Sequence, residues 1–161
     1  MDYTLALLFS LMHILHVTTA APLPPEVVKM KTKVKGMSEL LVRRLNEDLQ
    51  IPSGPTFSPQ ANDMDGLSSI ITVLNGYNSL ISDSLTGVSQ VKSDMSSLTG
   101  YLDQWRSGHC PEQQAKVLVP APLEELQRRK HFTHTVSFEA LMRTKKFLKE
   151  LLKNLDHLKT C

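Results

Sequence analysis

The chain has 161 residues, of which 41% are hydrophobic and 21% are charged, a composition typical of one globular domain with a buried core. Its formal net charge is +2, and the basic residues are spread along the chain without interleaved aromatic residues. Binding to nucleic acid or to an acidic membrane surface is therefore not expected.

The first twenty residues have the features of a secretory signal peptide. An apolar run, LALLFSLMHIL, is followed by small residues, with Thr18 and Ala20 at the −3 and −1 positions of a cleavage site. The run is shorter than the roughly 18 to 20 apolar residues that a membrane-spanning helix needs, so membrane insertion is not expected. We expect residues 1–20 to be removed and residues 21–161 to form one secreted, extracellular domain.

Two helices are predicted in the first half of this domain, over residues 26–49 and 65–85. Apolar residues recur every three or four positions along both segments, and Pro52 follows the first. The predicted core stripes are Val27, Met30, Val34, Met37, Leu41 and Leu45 in the first helix, and Leu67, Ile70, Ile71, Leu74, Tyr77, Ile81 and Leu85 in the second.

The second half contains two more predicted helices, over residues 88–105 and 135–158. Pro122 before LEELQRR also predicts a short helix in the segment between them. The core stripes are Val88, Val91, Met95, Leu98, Leu102 and Trp105 in the third helix, and Phe138, Leu141, Leu148, Leu151, Leu152, Leu155 and Leu158 in the fourth.

The lengths of the connections predict how these four helices are arranged. The connections after the first and third helices are long, whereas little more than Thr86-Gly87 separates the second and third. A short connection joins antiparallel neighbours, and a long one can run the full length of a bundle. The pattern favours an all-α, up-up-down-down four-helix bundle with two long crossover loops. An up-down-up-down bundle would leave both long loops without a structural role.

The chain has two cysteines, Cys110 and Cys161. In an oxidising compartment two cysteines of one chain pair by default, so we predict a disulfide bond between them. The closed loop of about fifty residues would add roughly 4 kcal/mol of stability in the chain-entropy model and would hold the last helix in place. The alternative is a zinc site, for which the chain lacks the usual ligand spacing. The candidate zinc-binding histidines are His109, His131, His134 and His157.

No catalytic motif is present, because the sequence lacks the nucleophile elbow, the phosphate-binding loop, the zinc-protease HExxH and the dinucleotide-binding glycine pattern. We therefore expect no enzymatic activity, no cofactor and no metal site. A carrier of small apolar ligands would need an enlarged interior, whereas large residues at regular spacing predict a filled core. The basic triplet Arg128-Arg129-Lys130 resembles a processing site of secreted precursors, although such a triplet is more often a solvated stretch.

A secreted bundle without catalytic residues is expected to present helix faces to a partner. Gln90, Ser93 and Ser97 lie at helical spacing on the third helix, opposite its core stripe, and form a small, uncharged strip. Leu40 and Arg44 lie beside the core stripe of the first helix. Such a pair either anchors a partner or, in the case of Leu40, simply widens the buried face.

Several segments resemble the leptin family, and their divergence suggests a fish member. APL resembles the VPI with which the mature family members begin, and LVRRLNED resembles the stretch of the family's first helix that ends in VTRIND. GLSSIITVL is similar to the family's GLxxILxL, and VSQVKSDMSSLTGYL to its VIQISNDLENLRDLL. The most specific feature is a cysteine after the third helix with a second one about fifty residues later, as the last residue.

This resemblance implies a hormone, acting as a monomer, that binds a class I cytokine receptor like the leptin receptor. Such a hormone signals through the JAK–STAT route in the control of energy balance and food intake. The family's main receptor-binding surface, made by the first and third helices, has matching positions at Arg44, Gln90 and Ser97. A second surface, which triggers signalling, falls at Thr135 and Val136, where only the first position keeps a hydroxyl group.

Two other interpretations stay open from the sequence. The family's apolar patch in the first long loop aligns with residues 61–64 and is poorly retained. Separately, the chain could be another secreted four-helix cytokine, such as a colony-stimulating factor or an interleukin-6 relative, although those usually carry two bridges. The second interpretation is the carrier of small apolar ligands.

Overall fold

The computed structural model describes residues 24–51, 64–110 and 117–161, so the predicted signal peptide over residues 1–20 lies outside the described residues. Within these ranges the chain forms α-helices and no strand, which confirms the prediction of an all-α fold. The helices are α1 (Pro25–Glu47), α2 (Leu67–Leu80), α3 (Val88–His109), α4 (Ala121–Arg128) and α5 (Thr133–Asn154), and a 3₁₀ turn (Leu155–His157) follows α5.

All four predicted long helices are present, but three of their predicted ends are wrong. The third helix continues to His109, beyond residue 105, and the fourth ends at Asn154, before residue 158. The predicted end of the second helix is residue 85. The backbone of Ile81 is extended, with ψ 116°, so α2 ends at Leu80. The Ser82 N–H then donates to the Ser137 Oγ at 2.9 Å instead of continuing the helical ladder. Ile81 is nevertheless buried, and this is why the apolar spacing continues past the end of the helix.

The first helix runs antiparallel to both of its neighbours, α3 and α5. Near the start of α1, the Lys31 Nζ donates to the backbone oxygen of Asp156, just after α5, at 2.8 Å. Near the end of α1, Arg44 forms an ion pair with Asp94, in the second turn of α3. In each case one end of α1 meets the opposite end of its neighbour.

The second helix packs against the same two helices, α3 and α5, and is antiparallel to both. Arg106, near the end of α3, reaches the hydroxyl of Ser68 at the start of α2. The Ser137 Oγ, near the start of α5, lies 3.0 Å from the Leu80 backbone oxygen at the end of α2. Because α1 and α2 both oppose α3 and α5, the bundle has the predicted up-up-down-down arrangement.

Apolar side chains from all five helices fill the core, and the stripes predicted for the first three long helices are buried or half-buried. In α5 the prediction for Phe138 is wrong, because its side chain is 42% exposed. Ser137 and Ala140 occupy the buried positions there, and their small side chains let α5 approach the end of α2 closely. The largest fully buried side chains include Trp105, Phe147, Leu41, Leu45, Leu67, Ile70, Leu74, Ile81, Met95, Leu98, Leu102 and Leu123.

A disulfide bond joins Cys110, which follows α3, to Cys161, and the two Cα atoms lie 5.7 Å apart. This is the pairing that the sequence predicts. The bond holds a C-terminal tail whose backbone lies over the start of α2. The Leu67 N–H points at the Thr160 backbone oxygen at 3.5 Å, and Lys159 forms a 3.0 Å ion pair with Asp65. The helix α2 has no side-chain cap. The tail therefore supplies a backbone acceptor for an N–H group at the start of α2, where the helix itself offers none.

The short helix α4 lies across α2 and α5. Its apolar side chains Leu123 and Leu126 are buried. The Arg143 Nη1 of α5 donates to the Pro122 backbone oxygen at 2.8 Å, and Arg129 forms a 3.1 Å ion pair with Glu139. The α2–α5 face of the bundle is therefore partly covered by α4.

Candidate functional site

Two of the surface residues predicted on the first and third helices, Arg44 and Gln90, meet where α1 and α3 pack. The Arg44 Nε lies 2.7 Å from the Asp94 Oδ2, with the side chains 31% and 18% exposed respectively. The Gln90 Nε2 donates to the other carboxylate oxygen of Asp94 at 2.8 Å. Asp94 therefore contacts both neighbours, as the ion-pair partner of Arg44 and the hydrogen-bond acceptor of Gln90, and we call the three residues the Arg44 cluster.

A second contact between α1 and α3 lies nearer the start of α1. The Lys33 Nζ is 4.2 Å from the centroid of the Tyr101 ring. An ammonium group over an aromatic face contributes about 0.5–1 kcal/mol at exposed sites. Two cross-helix contacts therefore fix the relative position of α1 and α3 along this line.

Leu40 of α1 and Ser97 of α3 lie between these two contacts along their helices. Leu40 is 39% exposed and lies outside the core, so the interpretation that it merely widens the buried face is not supported. Ser93 and Ser97 are exposed, and the Ser97 hydroxyl donates to the Ser93 backbone oxygen at 3.0 Å. Such internal bonding leaves fewer polar groups to desolvate when a partner binds. The α1–α3 surface, as used below, comprises Lys33, Leu40, Arg44, Gln90, Ser93, Asp94, Ser97 and Tyr101.

Asp94 is the residue of this surface that sequence reasoning missed. It is the single acidic residue between Val88 and Leu102, and it lies four positions after Gln90, hence on the same side of α3. These two signals could have identified it as the counter-charge of Arg44, once antiparallel packing of the first and third helices was assumed.

The two residues predicted for the second surface do not lie together at the protein surface. Thr135 is exposed, but Val136 is 2% exposed and belongs to the buried side of α5. Its burial follows from the same rotation of α5 that turns Phe138 outward. Of the predicted apolar patch, residues 61–63 lie outside the described residues, and Met64 packs against the core.

Two aromatic side chains are exposed near Thr135. Phe132, just before α5, is 68% exposed, and Phe138 is 42% exposed. Large exposed apolar groups that lie near one another are typical of interaction sites. The start of α5 thus presents one hydroxyl and two aromatic rings.

The structure offers no support for zinc binding or thiol chemistry at the cysteines. The thiols of Cys110 and Cys161 are joined to each other, so neither is available as a ligand or a nucleophile. In the part of the chain that the structure describes, no cluster of His, Cys, Asp and Glu residues could hold a metal ion. None of the described helices has the length and apolar content needed to cross a membrane.

A cavity of about 600 Å³ lies where the end of α2 meets the starts of α3 and α5. Its lining includes Ser82, Asp83, Lys92 and Thr133, and the Lys92 Nζ already donates to an Asp83 carboxylate oxygen at 2.7 Å. A carrier of small apolar molecules would need an apolar cavity inside the bundle. This open, polar cavity at the bundle end does not supply one.

Comparison with known proteins identifies clear relatives. A family model described as Leptin matches residues 27–161. The chain is 47% identical to the leptin of Tetraodon nigroviridis and 44% identical to the leptin of Takifugu rubripes, with 100% of each chain covered in both comparisons. No solved structure matches the chain significantly.

Proposed function

The chain belongs to the leptin family, which is a family of hormones and not of enzymes, and on this premise we propose that it is a secreted, monomeric hormone that binds a class I cytokine receptor like the leptin receptor. Receptor binding activates JAK–STAT signalling in the control of energy balance and food intake. The α1–α3 surface binds the receptor, and the start of α5 engages a further receptor chain and triggers the signal.

The Arg44 cluster is the observation that carries this proposal. A free arginine loses about 0.5–1.5 kcal/mol of side-chain freedom when a partner immobilises it, whereas the Nε of Arg44 is already held by Asp94. Among the described residues, the partner of the terminal nitrogens of this guanidinium group is Asp48, at 3.7 Å. They can therefore donate to receptor carbonyl or carboxylate groups.

Leu40 supplies the apolar part of the same surface. It is 39% exposed and lies four residues before Arg44, so both side chains share one side of α1. Interfaces commonly combine one apolar anchor and one arginine, with smaller residues around them that exclude water. Ser93 and Ser97 suit that surrounding role because their side chains are short.

The proposal for the start of α5 rests on Thr135 and not on Val136. Thr135 is exposed, and Phe132 and Phe138 near it could enter pockets of the second receptor chain. Because the two surfaces use different helix faces, they can be separated experimentally.

Receptor binding is tested with the ectodomain of the same species' leptin receptor and the variants Leu40→Ala and Arg44→Ala. Each substitution is expected to weaken binding about tenfold, since residues of this kind contribute more than 1 kcal/mol. The matched controls are Leu118→Ala, at an 85% exposed leucine, and Arg43→Ala, at the exposed neighbour of Arg44. Wild-type affinity in both surface variants, or equal losses in the controls, would remove the α1–α3 surface from consideration.

Signalling is tested in cells that express this receptor and a STAT-driven reporter. The variant Phe132→Ala with Thr135→Ala is expected to bind the ectodomain normally and to activate the reporter much less than wild type. Normal activation would contradict the role of the α5 surface. No activation by the wild-type protein at any concentration would contradict the proposed function itself.

A further inference from the structure

Four lysines lie along the line where α1 and α5 pack, and we call Lys31, Lys35, Lys145 and Lys149 the lysine seam. The two outer ones are anchored by backbone oxygens of the opposite segment. The Lys31 Nζ donates to the Asp156 oxygen at 2.8 Å, and the buried Lys145 Nζ donates to the Ile51 oxygen. The hydrogen-bonded ends of these two lysines therefore mark the two ends of the seam.

The two inner lysines lie between these anchors. Lys35 is four residues after Lys31, and Lys149 is four residues after Lys145, so each lies on the same side of its helix as the anchored lysine. Both are exposed. Because α1 and α5 are antiparallel, the two helices bring these side chains toward the middle of the seam from opposite directions.

The positive charge of the seam is not neutralised by neighbouring carboxylates. Within the described residues, none of the four lysines forms an ion pair, and the two anchored lysines bind uncharged carbonyl groups. The acidic residues near the seam are Glu39, one turn after Lys35, Asp156, whose backbone oxygen binds Lys31, and Glu150, which is already paired with Lys153 at 2.7 Å. The seam therefore carries a net positive charge.

The seam is long and has no apolar anchor. Residues 31–45 of α1 span about 21 Å at a rise of 1.5 Å per helical residue, and Ile51 folds back so that its N–H donates to the Leu45 oxygen at 2.9 Å. The exposed large apolar residue within this span, Leu40, lies on the α3 side of α1. Protein–protein interfaces are depleted in lysine and depend on aromatic and arginine anchors, so a protein partner fits this surface poorly.

We propose that the lysine seam binds a linear sulfated polysaccharide. Spaced ammonium groups, of which those of Lys35 and Lys149 are exposed, suit a repeating polyanion, whose binding is driven mainly by the release of counterions. Lysine-rich segments are typical of heparin-binding patches, and the seam takes Lys31 and Lys35 from KMKTKVK in α1 and Lys145 and Lys149 from KKFLK in α5. The interaction is independent of the receptor surface on the other side of α1, so a chain held by a polysaccharide can still present Leu40 and Arg44.

The test is a titration of the full mature protein with heparin at several NaCl concentrations. The variant Lys35→Gln with Lys149→Gln is expected to bind about tenfold more weakly, and the slope of log K against log [NaCl] should fall by about one per lysine. The matched control is Lys29→Gln with Lys130→Gln, which loses the same charge away from the seam. This control should keep affinity within about twofold of wild type, and both variants should unfold at the wild-type temperature.

Several outcomes would overturn the proposal. Equal loss in the two double variants would mean that overall charge and not the seam attracts heparin. Binding that does not saturate at physiological salt, or equally strong binding of the unsulfated polysaccharide hyaluronan, would exclude a sulfate-selective site. If the seam variant loses receptor activation but keeps its heparin affinity, the seam contacts a protein. If the seam binds only polysaccharide, the seam variant activates the STAT reporter like wild type. Failure of the polysaccharide proposal can therefore be distinguished from failure of the receptor proposal.

Discussion

Gly76 of α2 lies directly beneath Leu123 of α4. A Cβ atom at position 76 would lie 2.3 Å from the Leu123 Cδ2, far inside van der Waals contact. Leu123 is 1% exposed, so its side chain has little room to move away. The missing side chain at position 76 is therefore what allows α4 to rest on α2.

We predict that Gly76→Ala destabilises the protein by about 1–3 kcal/mol, because overpacking against Leu123 outweighs the gain of up to about 1 kcal/mol in helix propensity. Urea unfolding measures the change. Gly100→Ala is the matched control, since a Cβ atom there meets no atom within 4 Å, and it should be neutral or stabilising. A stabilising effect of Gly76→Ala would show that α4 is not held at this position.

The second prediction concerns the disulfide bond. Cys161→Ser should lower the free energy of unfolding by a few kcal/mol, because the Cys110–Cys161 bond closes a loop with a sequence separation of 51. Wild-type protein unfolded in the presence of a reducing agent should lose a similar amount, and the variant itself should be insensitive to reductant. An unchanged unfolding midpoint in the variant would contradict a stabilising bridge.

The third prediction compares two fully buried serines in helices. The Ser38 hydroxyl makes no hydrogen bond with the described residues, whereas the Ser137 hydroxyl accepts the Ser82 N–H at 2.9 Å. Ser38→Ala should therefore be neutral or stabilise by up to about 1 kcal/mol, and Ser137→Ala should destabilise by about 1–3 kcal/mol. Thermal unfolding measures both, and equal effects of the two substitutions would contradict this assignment.

The fourth prediction is a pH dependence from Lys145. Burial, followed by the charge of Lys149, lowers the pKa of Lys145 below its ordinary value of 10.5. The unfolded chain therefore binds more protons than the folded one between the folded pKa and 10.5. The contribution of Lys145 to stability should consequently rise with pH across that range, as the cost of burying the charge disappears.

The measurement for Lys145 is urea unfolding of wild type and Lys145→Met between neutral and alkaline pH. The difference in unfolding free energy should shift in favour of wild type as the pH rises. Lys146→Met, at the half-buried neighbouring position, is the control and should give a curve parallel to wild type. Parallel curves for Lys145→Met as well would contradict the prediction.

Periodic apolar spacing predicted the helices and most of the core because it reports which side of a segment is buried. It does not report where backbone hydrogen bonding stops. Ile81 and Leu85 continue the spacing of α2, although the backbone has already left the helix at Ile81. The same limit explains Phe138, since the rotation of α5 about its axis is set by packing of Ser137 and Ala140 against other helices.

Polar contacts across helices were the least predictable part. Leu40, Arg44, Gln90 and Ser97 could be selected as surface positions from their place opposite or beside a core stripe. The pairing of Arg44 with Asp94, however, depends on the relative position of α1 and α3 along their axes. No short stretch of sequence indicates that position. The burial of Lys145 likewise depends on the chain reaching Ile51, which lies 94 residues earlier.

The disulfide bond and the proposed receptor-binding residues lie toward opposite ends of the bundle. The Cys110–Cys161 bond lies at the end where α1 and α2 begin, whereas Arg44 and Thr135 lie toward the opposite end, about 30 Å away by helix length. A fluorophore, polymer or sensor chip could therefore be attached near His109 without shielding the surfaces proposed to meet the receptor. The end of the bundle that carries the disulfide bond is therefore a suitable attachment site for immobilising the protein.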